Sequence, residues 1–548
     1  MKLTRSVLCS SFLIILLGCQ STAPVATKPQ FDLVIRNGRV VDGTGAPWYR
    51  ADVAVRGDTI VEIGELDGAS AAVEIDARDQ VVSPGFIDLL GWSHWPVLVD
   101  PQLEGKVRQG VTTEATGEGR SPGPISETEA ARRSAVGDRG WTTLGGYMDA
   151  VDSRGSAINF ALFVGATNPR EIVLGKNEVQ PTEQQMQEME AIVAEAMREG
   201  AIGLSTSLVY VPAIYSTTGE IIRLARVAAQ YGGVYFPHIR SENERIIEAV
   251  EEAITIGREA QIPVNIWHLK VSDRNKSGVM QQVLDMIEAA RAEGVDVAAN
   301  VYPYVASSTG LSALAPNWTL EGGYEKFLER LADPEMREQI AEEIRQSGFY
   351  SRIGGPEGAL ISHIPNRELA RYEMKRLSEV AEEMGREPVD ALLYILENNP
   401  RSPQAIYFSM NEEDMRLALQ KPWVSVGADS GAVVGEMKKS GAHPRAYGTF
   451  PRVVGHYVRD VGLFSLEEAV RKITSQAAAR ISLLDRGVLR PGMKADILVF
   501  DPDQIRDLST FEDPHQYSVG IDHVIVNGVP VLRDREMTGA LPGKILRN

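Results

Sequence analysis

Short apolar runs alternate along most of this chain with stretches whose apolar residues recur at helical spacing. The candidate strands are Val81–Leu89, Val111–Thr116, Ile158–Val164, Ile202–Thr206, Gly233–His238, Pro263–His268, Asp296–Tyr302 and Trp423–Asp429. Between Thr182 and Glu293 they are separated by amphipathic helices such as EQQMQEMEAIVAEAMREG. Most of the strands are apolar throughout, as strands covered on both faces should be. Strands in βα alternation, eight in number, predict a (β/α)8 TIM-like barrel with its chemistry at the C-terminal strand ends. A long gap separates the seventh strand from the eighth. Its far half, ELARYEMKRLSEVAEEMGREPVDALLYILENN, keeps a helical period, so a helical insertion is expected at about residues 320–420.

The two chain ends follow another pattern. FDLVIRNGRVVDGTG and ADVAVRGDTIVEIG near the start, and KADILVFDPDQI and SVGIDHVIVNGVPVLRD near the end, are short β runs broken by turn signals such as Asn37-Gly38 and Asn527-Gly528. Residues 31–80 and 485–548 are therefore expected to form one small β-sandwich domain, with the barrel, residues 81–484, inserted between them.

Candidate chemistry centres on YFPHIRSENERIIEAVEEAITIGREAQIPVNIWHLKVS, which reads strand–helix–strand. His238 and His268 end two neighbouring parallel strands, and two imidazoles so placed can share one metal ion. In a chain with only eight histidines this outweighs the reading of each as a hydrogen-bonded core residue. Lys270, two residues past His268, points to the same face and suits an anionic substrate group. Asp429 closes the eighth strand in VGADS, where it can ligate a metal, take a proton from a metal-bound water, or cap the next helix. Glu118 in GVTTEATGEG is the natural third ligand because it lies beyond the second strand; Glu114, within that strand, competes. Tyr302, Tyr304, Ser307, Ser308 and Thr309 in VYPYVASSTG offer hydroxyls for a polar substrate, and Arg445 in AHPRAYGTFPR can clamp a carboxylate. His443 and His456 read as structural.

Composition narrows the classes. The chain has 548 residues, 43% of them apolar and 24% charged, with a formal net charge of −18 and no long basic run. That argues against a nucleic-acid partner. Lys2 and Arg5, the apolar run Val7–Leu17, and Gly18-Cys19 predict a secretory signal at residues 1–18. Leu16-Leu17-Gly18-Cys19 resembles the bacterial lipoprotein processing box, which implies acylation of Cys19, a polar tether at 19–30, and membrane attachment through the N-terminal lipid alone. Gln20 instead of Asp after the cysteine resembles sorting to the outer membrane, at its periplasmic face. The other cysteine, Cys9, lies in the signal, so a metal site must use nitrogen and oxygen ligands.

PGFID at Pro84–Asp88, GVTT at Gly110–Thr113, HIRSE, HLK, VYPY, GAD, HPRAYGTFPR and KADILVFDP together resemble the amidohydrolase superfamily, and within it the N-acyl-D-amino-acid deacylases (D-aminoacylases), from about Phe31 to the C-terminus. The resemblance implies zinc-dependent hydrolysis of N-acyl amino acids of D configuration. It implies His238 and His268 as zinc ligands and Asp429 as the base that later protonates the leaving amine. It places Lys270, Tyr302 and Ser308 on the substrate carboxylate, with Arg445 lining the same pocket. Two departures stand out. The superfamily's His-x-His after PGFID is replaced by Leu90 and Trp92 in DLLGWSHW; leucine has no ligand atom and the indole N–H only donates. His94 would need a bulge to reach the site. The family's cysteine near GNCG is missing from TGEG, which makes Glu118 its substitute. The expectation is one zinc per chain, held by Glu118, His238 and His268, with an open position for water. Rival readings are an amidohydrolase of dipeptides, cyclic amides or lactones, and a non-catalytic envelope binding protein, which loss of the His-x-His pair would favour.

Overall fold

A computed structural model describes residues 29–135 and 140–548. The predicted signal, Cys19 and nearly all of the tether lie outside the described residues. Among the described residues, no helix is long and apolar enough to cross a membrane.

The barrel strands are Phe86–Gly91, Val111–Thr116, Asn159–Leu162, Gly203–Ser207, Val234–His238, Val264–Ile266, Val297–Val301 and Val424–Val426. Phe86–Gly91, Val111–Thr116 and Asn159–Leu162 pair in parallel. The third strand continues into Val164–Gly165, which pairs with Gly203–Ser207 and opens the parallel run through to Val424–Val426. The barrel closes where Gly91 bridges Ser430, with Asp429 N donating to Leu90 O at 2.7 Å. The outer helices form where expected. Glu183–Arg198 starts on a capping box between Thr182 and Gln185 and buries Met186, Met189, Val193, Ala196 and Met197, residues three or four apart. Burying each large side chain of this kind contributes roughly 1.5–3 kcal/mol.

The predicted first strand is split. Val81–Pro84 pairs with Phe31–Val40 and Ile497–Phe500, and only Phe86–Gly91 joins the barrel. The break falls at Gly85, where a Cβ would sit 2.1 Å from Thr112 Oγ1. The two chain ends thus share one nine-stranded mixed sheet, with Ile497–Phe500 beside Val81–Pro84 as its central seam.

Between the seventh and eighth strands stands the insertion, with its own core around Phe327, Ile340, Leu392 and Tyr407. It holds the helices Tyr324–Leu331, Pro334–Gln346, Leu377–Met384 and Pro388–Glu397. It also holds a four-stranded sheet, ordered Ser307–Gly310, Gln404–Tyr407, Ala359–His363 and Lys375–Arg376, which helical periodicity does not announce. The insertion therefore begins earlier than about residue 320, and its edge strand Ser307–Gly310 starts close to the barrel mouth.

Candidate metal centre and active site

Glu118, His238 and His268 converge from the ends of the second, fifth and sixth strands. His238 Nδ1 lies 2.7 Å and His268 Nε2 3.2 Å from the same oxygen, Glu118 Oε1. One ligand atom from each falls within 4.8 Å of the other two, and all three residues are buried. Glu118 reaches this position because its loop presses against the fourth strand: a Cβ on Gly119 would sit 2.4 Å from Ser207 Oγ, and Ser205 Oγ accepts from Gly119 N at 3.0 Å. Two imidazole nitrogens and one carboxylate oxygen fit a single divalent ion, leaving further coordination positions open. Burial works against the Glu118 carboxylate, but the two histidines outweigh it and hold its pKa well below the usual range. Burial and Lys270 likewise oppose protonation of His268, yet Glu242 and Glu118 push it up to about 9.

His268 is not strictly within a strand. Its φ is +37°, and Asp429 has φ +50°. This left-handed region favours glycine, so a side chain there costs strain that is tolerated where the side chain is needed. Asn300 supports the first of these turns: its Oδ1 accepts from His268 N at 2.6 Å.

Glu242 is a site residue that the sequence reading missed. Its Oε1 lies 3.0 Å from His268 Nδ1 and 3.8 Å from His238 Nε2, behind both imidazoles. A carboxylate there fixes ring orientation and presents the opposite nitrogens to a metal. Burial raises its pKa, but Lys270, His238 and His268 more than reverse this and hold it well below the usual carboxylate range. Lys270 is turned toward the same group. Its ammonium bonds Glu242 and lies 2.9 Å from His268 Nδ1, so its charge is shared with the metal-site carboxylate. The one signal for Glu242 was its place four residues after His238 in HIRSE.

Asp429 faces the centre from the eighth strand. Trp92 Nε1 donates to its Oδ1 at 3.2 Å, and Arg445 Nη1 lies 2.9 Å from its Oδ2. The Arg445 guanidinium sits 4.6 Å above the Tyr302 ring, whose centroid is 6.4 Å from that of His268. Arg445 is buried and its Nη1 is engaged by Asp429, while its Nε finds no hydrogen-bond acceptor among the described residues. Ser308 pairs with Ile406 in the insertion's edge strand; its neighbour Thr309 lies 2.9 Å from the hydroxyl of Tyr210, whose ring is 5.4 Å from that of His238. His443 Nε2 donates to Ala306 O at 2.9 Å, in keeping with a structural role.

Glu114, the competing ligand, is turned away from the centre. It is fully buried and accepts from Ser93 N and Ser93 Oγ, both at 2.7 Å, with Lys106 Nζ 3.2 Å away. His94 does not join the metal-ligand group either; its Nδ1 lies 2.7 Å from Thr116 Oγ1. Leu90 packs with Ala115, Phe163, Phe236 and Trp267 inside the barrel.

Comparison with known proteins agrees with this geometry. Residues 378–532 match the model of an amidohydrolase family. The chain is 36% identical to D-aminoacylase from Alcaligenes xylosoxydans xylosoxydans, over 94% of this chain and 97% of that protein. Its fold matches N-acyl-D-glutamate deacylase from Bordetella bronchiseptica, solved with zinc and a phosphonate inhibitor, with a TM-score of 0.81 at 32% identity, covering 94% of this chain and 100% of the other. It also matches a D-aminoacylase structure with a TM-score of 0.78 at 35% identity and the same coverages; that enzyme has a binuclear metal centre with one-metal activation and second-metal attenuation. With this likeness running over nearly its whole length, the chain belongs to the D-aminoacylase family of N-acyl-D-amino-acid deacylases, within the amidohydrolases.

Proposed function

We propose that the protein hydrolyses the amide bond of N-acyl-D-amino acids, releasing a carboxylate and the free amino acid, with one zinc ion held by Glu118, His238 and His268. The observation that carries this reading is the convergence of those three side chains, with the Asp429–Arg445 pair close by across the Tyr302 ring. Zinc bound there would supply Lewis acidity toward the acyl oxygen and acidify a water molecule. The chain's own groups do the rest. Asp429 accepts the proton of the attacking water and delivers it to the leaving nitrogen. Arg445 and Tyr302, with Lys270 and Ser308 nearby, hold the substrate carboxylate and so orient the amide toward Asp429. Glu242 holds the two histidines in register.

The relatives named above act on D-configured substrates, which supports that configuration here. A panel of N-acetyl-D- and N-acetyl-L-amino acids, dipeptides and hydantoins tests it. Turnover of the N-acetyl-D series is expected; turnover of ring substrates alone would overturn the deacylase reading.

Anchorage in the cell envelope, at the periplasmic face of the outer membrane, belongs to the same proposal and is supported by the sequence around Cys19 alone. Cells fed a radiolabelled fatty acid should label the wild-type chain and not C19A; equal labelling of both would contradict it.

A further inference from the structure

In the described D-aminoacylase a second metal attenuates activity. The residues of this chain do not fit a second ion beside Asp429. Asp88, within the first strand, accepts from Leu90 N at 3.0 Å and Ala428 N at 2.8 Å through Oδ1, and from Lys106 Nζ at 2.7 Å through Oδ2. Lys106 also donates to Ser430 O at 2.6 Å and lies 3.2 Å from Glu114. All three charged side chains are fully buried. Glu114 reaches Lys106 beneath Gly91, where any Cβ would sit 1.9 Å from its carboxyl carbon. Ser93, held by Glu114, in turn accepts from Ala432 N at 3.0 Å.

These bonds grip both neighbours of Asp429: Ala428 through Asp88 and Ser430 through Lys106. Asp429 N is tied to Leu90 O, and its two carboxylate oxygens meet Trp92 and Arg445. A second dication here would find a leucine and an indole donor where two imidazoles would be needed. It would also meet the Arg445 guanidinium, 2.9 Å from the Asp429 carboxylate.

We propose that this chain holds Asp429 with its own side chains and leaves no place for a second metal. Trp92 and the buried Lys106–Asp88–Glu114 cluster are positioning residues that hold Asp429 for proton transfer, and the enzyme is mononuclear at any zinc concentration. The proposal rests on the hydrolase reading for its kinetic half only. Zinc titration of the chelated full chain, followed by calorimetry, needs no substrate and separates the two. One tight equivalent is expected; two tight equivalents would overturn the single-metal proposal, whatever the protein hydrolyses. On the kinetic side, activity should stay flat from one to several equivalents of zinc, and a fall like that of the second-metal-attenuated relative would overturn it. W92F keeps the ring and removes the N–H. Its melting temperature and zinc content should match wild type while kcat falls by about 10- to 100-fold with KM nearly unchanged; an unchanged kcat would show that Trp92 does not position the base.

Discussion

The two halves of the barrel mouth solve one problem in different ways. On the side of the second, fifth and sixth strands, potential metal ligands converge: Glu118, His238 and His268 are within reach of one another, and Glu242 stands behind both rings. Where the first and second strands meet the eighth, carboxylates and a lysine converge on each other. Asp88 and Glu114 share the Lys106 ammonium and take further donors from the backbone and Ser93, and Leu90 lies in the adjoining apolar cluster. The first arrangement offers the donor set of a metal site, and the second uses its charged groups to hold its own backbone and side chains. Between them Asp429, on a left-handed turn, is fixed by the second half and directed at the first.

This contrast can be broken from either side. The largest effect is expected in the ion-binding half. H268A or E118A should lose the metal and with it nearly all turnover, read by metal analysis and rate together. D429N should keep the metal and lower kcat by about 10²- to 10⁴-fold, because only the proton shuttle is removed; a D429N enzyme with wild-type kcat would remove Asp429 from the mechanism. In the self-satisfied half the response should be in stability. K106M leaves two buried carboxylates facing one another and should cost about 3–5 kcal/mol in denaturant unfolding. Burial first, and then Asp88, already raise the pKa of Glu114 even with the lysine in place, so part of that loss should be recovered in K106M/E114Q.

Smaller effects sharpen the picture. E242Q should weaken zinc affinity or activity by about 10- to 100-fold, as loss of a partner behind metal-bound histidines does. The least effect is a proton count. After chelation His268 is pushed up to about 9, so it carries a proton at pH 7, and Glu118 does not. Zinc takes neutral imidazole. Zinc uptake at pH 7 should therefore release about one proton from His268, declining as pH rises through about 9. Calorimetry in buffers of different ionisation enthalpy measures it.

Much of this was legible in the sequence, for physical reasons. A strand buried on both faces must be apolar throughout, so the eight strands showed, and histidines at two strand ends pointed to the centre. Glu118 was favoured over Glu114 because it lies past the strand end, and its loop does carry it to the histidines. Other features left no periodic trace. The four-stranded sheet of the insertion is built from runs too short to register beside strong helices. Lys106 is an ordinary residue in EGKVRQG until the fold buries it between two carboxylates that are distant in sequence. The split at Gly85 depends on Thr112, a residue of the next strand. Trp92 was read as the loss of a ligand, whereas its indole also donates to Asp429.

The most direct test of the account is a zinc-edge anomalous difference map from crystals of the chain grown with excess zinc. One strong peak is expected at the barrel mouth, bonded by Glu118, His238 and His268, with Asp429 still held by Trp92 and Arg445. A second peak of comparable strength beside Asp429, or no peak among those three ligands, would contradict it.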